Sequence, residues 1–182
     1  MIKNINWYRV GRSITVNDKM QKNYTYQLSQ PYGDLSDKPE FAPELTPPQM
    51  LSMGVFEGRY LNDCIHEFPK EWYHDAIQKD KLSIDGRPDI KKNYFKIKSR
   101  LSLDEWRRNH WIYGDDPRGW FQWYCRFYLG RRDEAVDDKQ IARWRSFKRH
   151  RGAIMKNCNR KDLDCRPKQR QALLQWAYDP TI

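Results

Sequence analysis

No stretch of this 182-residue chain comes near the roughly 20 consecutive apolar residues that a membrane span needs. The opening, Met1-Ile2-Lys3-Asn4-Ile5-Asn6-Trp7, has no apolar core of the signal-peptide kind. Cysteine is scarce. Cys64, Cys125, Cys158 and Cys165 are too few and too scattered for a secreted disulfide scaffold, and no C-x2-C knuckle marks a zinc site. Glycine does not form a phosphate cradle: Gly54-Val55-Phe56-Glu57-Gly58 is not followed by G-K-[ST], and no strained Ser elbow is present. These absences predict no membrane association, no metal and no cofactor. They favour an intracellular setting, cytoplasm or nucleoid or nucleus, in which Cys158 and Cys165 stay reduced, with a disulfide between them the alternative under oxidation, and the sequon Asn23-Tyr24-Thr25 is idle.

Aromatic residues are plentiful: 8 Trp, 11 Tyr and 7 Phe. They offset a hydrophobic content of only 38% against 32% charged residues, because each ring buries a large apolar area and disordered chains lack them. A compact fold is therefore expected, on a length that suits one domain.

The first 45 residues read as an irregular arm that wraps the body. Trp7 to Val16 and Tyr24 to Leu28 alternate weakly, as a short β-hairpin does, and Pro31, Gly33, Pro39 and Pro43 break any regular element beyond it. Residues 46–182 read as a helical domain. Thr46 is an N-cap, Pro47 a first helical residue and Gly54 a stop. After a loop from Val55 to Phe68, Pro69 starts a helix through Lys79. Asp85-Gly86-Arg87-Pro88 is a turn, flanked by short strands in this reading. Ser102-Leu103-Asp104-Glu105 is a capping box for a helix to about Trp111. Pro117 to Gly130 holds the most apolar element, interrupted only by the i, i+4 row Arg118, Gln122 and Arg126, which needs acidic partners such as Asp63, Glu67 or Asp115 if buried. Asp137-Asp138 caps a helix to about Asn157, and Asp164 caps the last one, with Leu173, Leu174 and Ala177 on its inner face. The fold class is mainly α: a compact bundle of about five or six helices, an irregular N-terminal arm and one short hairpin.

Charge is distributed unevenly. Lys139 to Arg170 holds twelve basic residues against Asp162 and Asp164, so it carries the whole net charge of +10. The other residues balance at 22 of each sign. Positive charge concentrated on a neutral body is the footprint of a polyanion partner. Unpaired like charges at i, i+4 also weaken a helix, a cost that calls for a use. Arginine outnumbers lysine in the segment, and its planar fork suits phosphates and guanine edges. The expected partner is nucleic acid, DNA or RNA. The expected binding face comprises Arg143, Arg145, Lys148, Arg149, Arg151, Lys156, Arg160, Lys168 and Arg170, with Arg118 and Arg126 as a polar seam beside it. Trp120, Trp123, Tyr124 and Trp144 are stacking platforms only if they are not core. Helix-turn-helix geometry is disfavoured by the long connection from Lys156 to Asp164.

Two alternatives remain open at this level. One is an enzyme acting on nucleic acid, with acid–base groups from Tyr60, Asp63, His66 and Glu67, helped by His110. The other is an adaptor that uses the basic face on an acidic protein. Two stretches also resemble a family of small, basic hypothetical proteins: Thr46-Pro47-Pro48-Gln49-Met50 through Asp63, and Pro117-Arg118-Gly119-Trp120-Phe121 through Ala177-Tyr178-Asp179. The resemblance implies one folded unit. No activity attaches to that family, so no site is carried across.

Overall fold

The computed structural model describes residues 3–60 and 62–182. The chain runs through a hairpin and then a series of helices. Strands β1 (Ser13–Val16) and β2 (Tyr24–Gln27) pair antiparallel, with Ile14 opposite Tyr26 and Thr15 opposite Thr25. Alternation decides which face is inside: Ile14, Val16 and Tyr26 are buried, whereas Thr15 and Thr25 share a hydroxyl hydrogen bond of 2.9 Å on the exposed side. Helix α1 (Pro47–Met53) has the capping box of Thr46 and Gln49, with Gly54 as its C-cap. Then come α2 (Glu71–Gln78) and α3 (Leu103–Arg108), the latter capped by Ser102 and Glu105 as the sequence predicts. Short 3-10 turns fill the intervening chain at Phe56–Gly58, Ile65–Glu67 and Ile90–Lys92.

Helix α4 (Trp120–Leu129) is the central element, and nine of its ten residues are buried. Its aromatic residues meet the arm and the C-terminal helices in one core. Phe41 from the arm lies 5.3 Å from the Trp123 ring and 5.0 Å from the Trp144 ring. Tyr8, Leu28 and Phe41 thus belong to the same hydrophobic cluster as Leu173 and Leu174. Gly130 ends α4 at φ 112, and the arm crosses there: Ser29 and Gln30 both donate backbone N–H groups to its carbonyl. A Cβ at Gly130 would strike the Gln30 carbonyl, so the crossing itself requires glycine.

Three helix starts differ from the sequence reading. Helix α5 (Glu134–Ser146) has Asp133 as its N-cap residue, several residues before the Asp137-Asp138 pair. Asp137 instead turns inward, accepting the Trp123 indole N–H at 2.8 Å and the Asp133 amide at 2.9 Å. Helix α7 (Pro167–Gln175) starts after Arg166 rather than at Asp164, and α4 starts two residues beyond Arg118. The expected single helix to Asn157 is divided at Phe147 into α5 and α6 (Lys148–Asn157). No strand flanks the Asp85–Pro88 turn among the described residues. No described helix is long and apolar enough to cross a membrane.

Candidate nucleic-acid interface

The basic segment is held to the body by its aromatic residues. Trp144 of α5 is buried and stacks on Tyr178 at 5.0 Å, whose hydroxyl donates to the Trp144 carbonyl. Phe147, at the α5–α6 junction, stacks on Trp176 at 4.0 Å. Ile154 anchors α6, and is its only buried residue. Beyond α6 the chain is closed by a disulfide between Cys158 and Cys165. This corrects the expectation of a reduced pair: the two Cα atoms are 5.8 Å apart, within bonding geometry.

Arg170 is the second clamp on this loop, and a second correction. The sequence places it on the binding face, but it has no exposed surface. Its guanidinium donates to the carbonyls of Cys165, Asp162, Pro180 and Ile182 at 2.6 to 2.9 Å. A side chain spent in this way cannot reach an external phosphate. It fixes the loop and the C-terminus to each other.

The remaining basic residues fall into two groups. Arg143 is half-buried, donating to the Trp111 carbonyl and lying 4.8 Å from the Trp106 ring centroid. Arg151 pairs with Glu44 at 3.1 Å. Nine others are exposed: Lys139, Arg145, Lys148, Arg149, Lys156, Arg160, Lys161, Arg166 and Lys168. None of the nine has a carboxylate within ion-pairing distance among the described residues. Asp162 does not neutralise them through contact, because one of its oxygens accepts the backbone amides of Asp164 and Cys165.

The fold extends this face with residues the sequence reading missed. Ser99 donates its hydroxyl to the Lys168 carbonyl at 2.7 Å, and Gln175 donates to the Ser99 carbonyl at 3.1 Å. That strap brings the exposed Lys96 and Lys98 alongside α7. Only the tertiary pairing shows it, since about seventy residues separate the two segments in the chain.

Arg118 and Arg126 are corrected in the same sense as Arg170. Arg126 is fully buried. It makes a bidentate pair with Glu67 at 2.6 and 3.1 Å, reaches Asp116 at 3.0 Å and donates to the Asp115 carbonyl. Burial alone would lower the Arg126 pKa, but the Glu67 charge and hydrogen bonds, with Tyr26 and Asp116, together outweigh it and hold the guanidinium protonated. Arg118 pairs with Asp63 at 2.8 Å and with Asp18 at 3.1 Å. The row is a structural ion network, and Trp120, Trp123 and Tyr124 beside it are core, at most 2% exposed.

Three of the groups named for the acid–base alternative belong to that network. Glu67 accepts from Arg126 and from the Tyr26 hydroxyl, Asp63 faces Arg118, and Tyr60 donates to the Arg118 carbonyl. Burial pushes the Tyr60 pKa well up, so the phenol stays protonated. His66 and His110 are exposed and stand outside the network. Asp18, Cys64 and Glu67 bring ligand atoms within 4.8 Å of one another. Both carboxylates of this trio already face guanidiniums, which oppose a cation, and burial holds the Cys64 thiol protonated. The trio does not fit a metal. A groove of about 570 Å³ between α1 and α2 is lined by Pro48, Gln49, Ser52, Trp72, His74 and Ile77 among others, none from the basic segment.

Comparison of the chain with protein-family models, with curated proteins and with solved structures finds no match.

Proposed function

We propose that this protein binds nucleic acid through the exposed cations of the α5 end, α6, the disulfide-closed loop and the start of α7. The observation that carries this reading is the group of nine exposed lysines and arginines without a carboxylate partner among the described residues, in the segment that carries the chain's net charge. Cations left unpaired across three helices and a loop repel one another and weaken the helices that carry them. A polyphosphate backbone relieves that repulsion and gains the release of its condensed counterions. The revised face is Arg145, Lys148, Arg149, Lys156, Arg160, Lys161, Arg166 and Lys168, joined by Lys139 and flanked by Lys96 and Lys98.

The test is charge reversal at three exposed positions, Arg145→Glu, Lys148→Glu and Arg149→Glu. Affinity for random-sequence DNA should fall by more than about tenfold. Urea stability should stay within about 0.5 kcal/mol of the parent, because these side chains make no ion pair that holds the fold. Unchanged binding by the folded triple variant would contradict the assignment.

A further inference from the structure

Gly152 is the one glycine whose presence neither backbone conformation nor internal packing explains. The chain has nine glycines, and the other eight all have positive φ, the region that favours glycine. Gly152 is helical, lies in the middle of α6, and a Cβ placed on it would meet nothing within 4 Å. In a helix interior glycine is worse than any residue except proline, and alanine would fit here freely. Nothing within the fold calls for glycine at this position.

Gly152 faces outward on α6. At 100° per residue, the line opposite the buried Ile154 is occupied by Gly152 and Lys156, with Arg149 and Lys148 to either side. Lys148, Gly152 and Lys156 form an i, i+4, i+8 row. All four residues are exposed. A bare backbone is thus framed by three cations on the most outward surface of a helix with a single buried residue.

We propose that α6 enters the major groove of duplex DNA, with Gly152 as the point of closest approach and Lys148, Arg149 and Lys156 on the flanking phosphates. This rests on the nucleic-acid reading of the basic face. An α-helix with its side chains is about 10–12 Å across, and the B-form major groove is about 12 Å wide. The A-form groove of duplex RNA is deep and too narrow for such an element. A single strand is gripped by exposed rings on which bases stack. Here the aromatic residues nearest α6 are used internally: Trp144 on Tyr178 and Phe147 on Trp176.

The experiment measures binding of wild type, Gly152→Ala and Gly152→Leu to labelled duplex DNA, duplex RNA, single-stranded DNA and polyglutamate, alongside melting temperature and helical circular dichroism. The expected result is preference for duplex DNA, a few-fold loss for Gly152→Ala and at least about tenfold for Gly152→Leu, with both variants folded. Gly152→Ala should melt higher than wild type while binding more weakly, a pair of opposite signs that a merely structural glycine does not produce. Wild-type affinity in folded Gly152→Leu overturns the proposal. So does preference for single strands, duplex RNA or polyglutamate. Failure of wild type to bind any nucleic acid overturns the underlying reading as well.

Discussion

Arg126 sits without exposed surface between Glu67 and Asp116, and Arg131 completes the pairing of Asp116 from the other side. Taking these charges out of water is costly, and only their mutual satisfaction makes the arrangement tolerable. Replacing Arg126 by Met keeps much of the volume and leaves the Glu67 carboxylate buried with no ion-pair partner. The expected loss is about 3–5 kcal/mol in urea unfolding. A loss below about 1 kcal/mol would show the network is not buried as described. The i, i+4 spacing of Arg118, Gln122 and Arg126 makes the row legible in sequence, and the need for acids is a rule about buried charge. Asp63 and Glu67 are foreseeable partners on that rule. Asp116 and Asp18 are not, because hydropathy carries no information on which of several nearby acids faces inward. The same blindness puts Arg170 on the surface: a residue in a basic run reads as exposed until its four carbonyl partners are seen.

Helices are legible where capping chemistry is local. Thr46 with Gln49 and Ser102 with Glu105 close reciprocal boxes within four residues, and both starts are met. Helix α4 announces itself by apolar residues nearly all round. Starts assigned to acidic pairs fail, because Asp137 has a tertiary task, the Trp123 indole, that outweighs capping. The disulfide loop between α6 and α7 is the other miss, since two cysteines seven residues apart do not reveal whether the chain turns them together. Closing so short a loop stabilises by about 2–3 kcal/mol through the unfolded state. The double variant Cys158→Ser, Cys165→Ser should therefore lose about that much in urea unfolding, and dithiothreitol should bring wild type to the same value. Helix α7 should survive, because Arg170 still ties the loop to the C-terminus. Equal stability of oxidised wild type and double variant would mean the bond is absent or strained.

Across the whole molecule the aromatic residues and the cations divide the work. The rings from the arm, α4 and the C-terminal helices interlock into one core, and the net charge gathers on the elements that close it. The charge asymmetry is plain in the sequence. Its presentation is not, since burial removes Arg170, aromatic contact occupies Arg143, Glu44 takes Arg151, and the Ser99 strap adds Lys96 and Lys98. The measurement that bears most directly on a polyanion partner is a binding titration of the intact protein against random-sequence duplex DNA over a salt series. Each phosphate contact contributes about −0.9 to the slope of log K against log salt, so full engagement of the nine unpaired cations approaches a slope of about −8. A steep linear loss, made shallower by the Arg145, Lys148 and Arg149 reversals, is the predicted result. No binding at low salt, or affinity indifferent to salt, would contradict it.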